Sequence, residues 1–128
     1  MRLTSPKYCQ LIYRDSQYVN AYGFAYLNSE HCSRLWSELY EAIVATIEKL
    51  GDHKLLETYE CWMHTDELRD KAMLRNIEDH CKQNTFDIGV FLVGAAHRQS
   101  IVDKSLAGPG AGSPTVQWDY SGFLDGSN

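Results

Sequence analysis

Apolar positions along this chain follow two distinct patterns, and each predicts a different kind of element. Leu35, Trp36, Leu39, Tyr40, Ile43, Val44, Ile47 and Leu50 recur at spacings of three and four. That is one broad stripe on a helix whose start Asn28 or Ser29 can cap and whose end Gly51 can close. Glu38, Glu41 and Glu48 fall on its solvent side. Residues 52–64 give a weaker helical candidate with Leu55, Leu56, Tyr59 and Trp62. Thr65 or Asp66 can cap another helix, running from about Glu67 to Lys82, with Leu68, Ala72, Ile77 and Cys81 on its apolar side.

The second pattern is an unbroken apolar run. Ile88-Gly89-Val90-Phe91-Leu92-Val93, bounded by Asp87 and Gly94, carries β-branched and aromatic residues with no polar alternation. It reads as a strand buried on both faces, which usually belongs to an α/β sheet. The expected fold is therefore α/β: a small sheet with a central buried strand at about 87–94, flanked by two or three helices. Cys9 to Tyr13 reads as a further short strand, with Arg14-Asp15-Ser16 as a turn. Tyr18 to Leu27 fits both periods, since Tyr18, Tyr22 and Tyr26 have helical spacing while Tyr22, Phe24 and Tyr26 alternate. A helical piece is expected over 99–106, a flexible Gly/Pro connector over 108–114, a last strand over 115–120 and a frayed end at 126–128.

With 128 residues, the chain has the length of one domain, or part of a larger one. Its hydrophobic content of 44% and charged content of 23% are those of an ordinary soluble protein. A net charge of −5 argues against nucleic acid or an anionic membrane as partner. No apolar stretch is long enough to span a bilayer and no signal segment opens the chain, so a cytoplasmic location is expected. Cys9, Cys32, Cys61 and Cys81 contain no CxxC pair and are read as reduced thiols. Cys61-x-x-His64 with His80-Cys81 is a poor zinc pattern, because adjacent residues on a helix point in different directions.

Candidate chemistry gathers after the apolar run. Gly94-Ala95-Ala96 allows close approach of a substrate to the backbone, and His97 follows. Near a helix start His97 would tend to stay neutral, as a metal ligand or general base must. Satisfying a backbone carbonyl is the competing role. Arg69 can pair at the surface with Asp66 or Asp70, and Arg98 can bind an anionic group or point to solvent. The GxSxG elbow, the phosphate loop, GxGxxG and HExxH are all absent.

Arg69-Asp70-x-x-Met73-x-x-Asn76-Ile77, the apolar strand and Gly94-Ala95-Ala96-His97 together resemble the C-terminal part of a known superfamily. It comprises the erythromycin esterase-like hydrolases, the TraB/PrgY/Tiki proteins and the ChaN-like lipoproteins. The resemblance covers Arg69 to about Ser100, roughly a quarter of the chain. It implies a hydrolase-like site for an ester or amide, with a divalent metal as candidate cofactor. His97, from the second GxxH motif, would be base or metal ligand, Arg69 would stabilise developing negative charge, and Gly94 and Arg98 would contact substrate. The family's first GxxH motif has no counterpart in residues 1–86. One ligand cannot hold a catalytic metal, so a second chain or an oligomer completes the site, or the chain is a truncated piece, or the fold persists without catalysis. The alternative is a non-catalytic protein-interaction module that uses the tyrosine-rich N-terminal segment.

Overall fold

The computed structural model describes residues 5–107 and 116–120. Four helices dominate: α1 (Pro6–Leu27), α2 (Glu30–Leu50), α3 (His53–Gln83) and α4 (Arg98–Leu106), the last preceded by a single 3-10 turn at Ala95–His97. No β-strand occurs among the described residues. The expected α/β fold with a central sheet is thereby corrected to a helical one. The expected connector at 108–114 and frayed end at 126–128 lie outside the described residues.

The starts of α1, α2 and α3 each have their own chemical cause. Ser5 caps α1, its hydroxyl accepting from the Tyr8 N–H, and Pro6 fits the first turn, where no N–H is needed. Tyr8, Leu11, Asp15, Tyr18, Tyr22 and Tyr26 then recur at helical spacing, which overrides the local strand preference of Leu11-Ile12-Tyr13. The strand expected at Cys9–Tyr13 is therefore the second turn of a helix. Ser29 caps α2 and Gly51 closes it in the left-handed conformation (φ 65°), as the sequence pattern predicts. Asp52 caps α3, with its carboxylate accepting from the Leu55 N–H at 3.0 Å. The two helical segments expected over 52–82 form this one helix, and Thr65 turns its hydroxyl back to the Cys61 carbonyl instead of capping a new start.

Gly23 interrupts α1 with φ 53° and ψ −130°, a backbone state that side chains with a Cβ rarely adopt. The resulting kink has a direct consequence. Eleven residues of straight helix would separate Asp15 and Tyr26 by about 16 Å, yet the Tyr26 hydroxyl donates to Asp15 Oδ1 at 2.8 Å. The last turn of α1 folds back to make that bond, which leads the chain into α2.

Packing centres on α2, which meets α1, α3 and the 3-10 turn. Leu11, Leu35, Leu39 and Ala42 form the core between α1 and α2, with Tyr8, Tyr18 and Trp36 packed around it. Leu74 of α3 and Ile101 of α4 are buried, and those two helices pack together. The apolar run at 87–94 is the main departure. It has no regular secondary structure and is not buried on both faces as expected: Ile88, Val90 and Leu92 are 86%, 81% and 85% exposed. An apolar run without helical period does not by itself distinguish a buried strand from an exposed segment. Residues 116–120, expected as a strand, have no regular structure, although Trp118 meets the Phe91 ring edge-on at 6.4 Å.

Candidate active site

A cleft of about 430 Å³ opens where α2, α3, the 3-10 turn and α4 come together. Helix α3 contributes Met63, His64, Asp66, Glu67 and Asp70, spaced so that one helical face lines one wall. Tyr40 comes from α2, Ala96 and His97 from the turn, and Ser100 from the first turn of α4. The turn is closed by the His97 N–H donating to the Gly94 carbonyl at 2.9 Å, which holds His97 over α3.

There His97 meets Asp70. The His97 Nδ1 atom lies 2.8 Å from Asp70 Oδ1, and Asp70 is only 3% exposed. A carboxylate facing Nδ1 favours the neutral tautomer in which Nδ1 donates to Asp70 and Nε2 carries the lone pair. A histidine held in one tautomer by a buried carboxylate is the arrangement a general base needs.

Beside Met63 and Ala96, the wall carries further polar groups. Burial raises the Tyr40 phenol above its ordinary range, and the carboxylates of Asp66 and Asp70 raise it further. Tyr40 therefore stays a protonated hydrogen-bond donor at neutral and moderately alkaline pH. Glu67 is held below the usual carboxylate range by Lys71, whose ammonium lies 2.6 Å away. Ser100 accepts a short hydrogen bond from the Lys104 ammonium.

Only some of the residues expected from sequence come together here. His97 is in the cleft. Arg69 is not: its side chain is 63% exposed and pairs with Asp66 at 3.1 Å across one helical turn. Gly94 acts through its carbonyl, which closes the turn. Arg98, half-buried at the start of α4, is not among the residues that line the cleft. Asp70 and Tyr40 are the site residues that sequence reasoning missed. The signal for Asp70 was available, since Met63, Asp66, Asp70, Leu74, Ile77 and Cys81 share one stripe. A carboxylate on a stripe that continues into Leu74, Ile77 and Cys81 needs a partner when that face turns inward.

The donor set does not fit the metal implied by the family resemblance. Among the described residues no three His, Cys, Asp or Glu side chains converge to hold an ion. Nδ1 of His97 is committed to Asp70, and catalytic zinc takes three protein ligands. The four cysteines are free thiols, with Cys9 and Cys61 exposed and Cys32 buried. Among the described residues no helix is long and apolar enough to cross a membrane. Compared with protein-family models, curated proteins and solved structures, the chain matches none.

Proposed function

We propose that the cleft is a hydrolase-like site for an ester or amide, with His97 as general base and Asp70 as the residue that positions it. The observation that carries this reading is the 2.8 Å contact between His97 Nδ1 and the buried Asp70 carboxylate, 27 residues apart in the chain. In the proposed step, His97 Nε2 takes a proton from a water molecule as its oxygen attacks the acyl carbon. The tetrahedral intermediate then collapses, and the same proton passes to the departing alkoxide or amine. Tyr40, kept protonated by burial and two carboxylates, lines the same cleft and is the candidate donor to the oxyanion. Arg69, exposed and paired with Asp66, does not take that role. One phenol is a sparse oxyanion site, so a second chain completing it belongs to the proposal.

The test is hydrolysis of a p-nitrophenyl ester and a p-nitroanilide by the full chain. His97→Gln, Asp70→Asn and Tyr40→Phe are measured beside a His53→Gln control, in which an exposed histidine is lost instead. Losses of roughly 10²–10⁴ for the first two variants are expected from removal of a positioned base. If His97→Gln hydrolyses both substrates as fast as the parent, the reading fails.

A second reading, an interaction module working through the N-terminal helix, is supported by Tyr13, Tyr22 and Phe24, each more than 60% exposed on α1. Tyr18 and Tyr26 belong to the packing of α1 against the rest of the chain, so this surface is narrower than the sequence suggests. A folded chain with no His97-dependent hydrolysis would favour this account.

A further inference from the structure

Ser100 lines the same cleft as His97, three residues further along, where the 3-10 turn runs into α4. Residues at that spacing share one helical face, so both side chains are offered to the same space. The Ser100 hydroxyl is also uncommitted as a donor. Ser37, Thr46, Thr58, Thr65 and Ser105 each turn their hydroxyl back to the carbonyl four residues earlier, as such side chains do inside helices. Ser100 does not: among the described residues its side chain has one hydrogen-bond partner, the Lys104 ammonium, which donates to it. A hydroxyl has one proton and two lone pairs, and the ammonium occupies one lone pair. The proton and the second lone pair stay free, and a nucleophile gives up the one and attacks with the other.

A serine, a histidine with its lone pair on Nε2 and a carboxylate behind Nδ1 are the three parts of a covalent acyl-transfer site. We propose, on the hydrolase reading of the cleft, that Ser100 is its acyl acceptor, so that hydrolysis passes through an ester on Ser100 Oγ. First, an Oγ lone pair bonds to the acyl carbon, the carbonyl π pair moves onto oxygen and the hydroxyl proton passes to His97 Nε2. The Lys104 ammonium, already on Oγ, favours the negative charge that builds there as the proton leaves. The returning π pair then breaks the bond to the leaving alkoxide or amine, which takes the proton from His97. Water repeats the sequence on the acyl-serine. That is the attack described above, with Ser100 Oγ as the departing alkoxide and its own proton restored.

The test uses p-nitrophenyl acetate and the full chain, quenched in acid at early times, with any adduct located by peptide mass mapping. An early burst of p-nitrophenolate approaching about one per chain is expected, with an acetyl group on Ser100 that hydroxylamine removes. Ser100→Ala should lose the adduct and fall to the rate of His97→Gln. The double variant should be no slower than either, because nucleophile and base act as a unit. Circular dichroism checks that each variant keeps its helices, and the mapping on the parent depends on no variant. Ser100→Ala as fast as the parent beside a slow His97→Gln would overturn the role of Ser100 and leave the hydrolase reading standing, with water attacking directly. Both variants as fast as the parent would remove the hydrolase reading and the acyl-serine together. An active parent that carries no acetyl group at any quench time would overturn the acyl-serine. So would an acetyl group found instead on an exposed cysteine, or on Lys104 as an amide that hydroxylamine leaves intact.

Discussion

Asp70 and His97 are joined at 2.8 Å across 27 residues, and their contact ties the long helix α3 to the turn that starts α4. Asp70 sits one helical turn before Leu74, on the buried side of α3, so its carboxylate needs a partner as much as the imidazole does. Asp70→Ala should cost about 1–3 kcal/mol of folding free energy, the usual price of stranding a buried polar partner. Chemical denaturation of the variant beside the parent measures it. The tautomer is separately testable. In ¹⁵N-resolved spectra of the neutral ring, Nδ1 of His97 should appear protonated and Nε2 bare. Asp70→Asn should relax that preference, because an amide can accept from or donate to the ring.

Two glycines with positive φ make different demands. Gly51 lies in the left-handed region (φ 65°, ψ 20°), whereas Gly23 lies at φ 53°, ψ −130°. A Cβ built on either meets nothing within 4 Å, so the cost of a side chain is conformational alone. Gly51→Ala should cost about 1 kcal/mol, and Gly51→Asn should cost less. Gly23→Ala should cost more, about 1–3 kcal/mol, and should also lengthen the bond between Tyr26 and Asp15 that the kink allows. Thermal unfolding of the three variants ranks them, and equal costs at the two positions would contradict this account of the kink.

Helix α2 was legible because two signals agreed: the stripe from Leu35 to Leu50 has helical period, and Ser29 and Gly51 mark its boundaries. Helix α1 was hidden by competition between local and longer-range signals. Leu11-Ile12-Tyr13 prefers a strand, and only the repeat from Tyr8 to Tyr26, with Ser5-Pro6 ahead of it, shows the helix. The run at 87–93 failed for another reason: composition says that it avoids water, not what covers it. Half of the site was legible too. His97 stands out because small residues precede it, but Asp66 and Asp70 are equally open as local partners for Arg69. Folding gives Arg69 to Asp66 and turns Asp70 inward, and such a choice depends on tertiary packing.

Leu39 and Leu68 separate burial from helix propensity. Both lie inside helices, but Leu39 is 1% exposed in the core beside Leu35 and Leu68 is 51% exposed on α3. Leu39→Ala should destabilise by about 2–5 kcal/mol, through lost burial and the cavity left behind. Leu68→Ala should stay within about 0.5 kcal/mol of the parent. Urea titrations read both, and a cost at Leu68 equal to that at Leu39 would place the core elsewhere.

Alkali should undermine this helical packing from within. Burial raises the Tyr26, Tyr40 and Tyr59 phenols above their ordinary 10.0, and the Cys32 thiol above its ordinary 9.0. The Tyr26 hydroxyl also donates to Asp15, a bond that exists only while the phenol keeps its proton. For each group the folded chain holds the proton more tightly than the unfolded chain does. Below pH 9 both states are protonated and their full contribution to stability is present. As pH rises through 9 and 10 the unfolded chain releases protons that the folded chain retains, so stability falls, and it continues to fall towards the raised folded values. The melting temperature should therefore be flat in this respect from neutral pH to about 9 and decline above it. Tyr26→Phe should flatten part of that decline while losing the Asp15 bond at every pH. Melting curves from pH 7 to 11 for the parent and Tyr26→Phe decide the matter, and an alkaline limb identical in the two proteins would remove Tyr26 from the explanation.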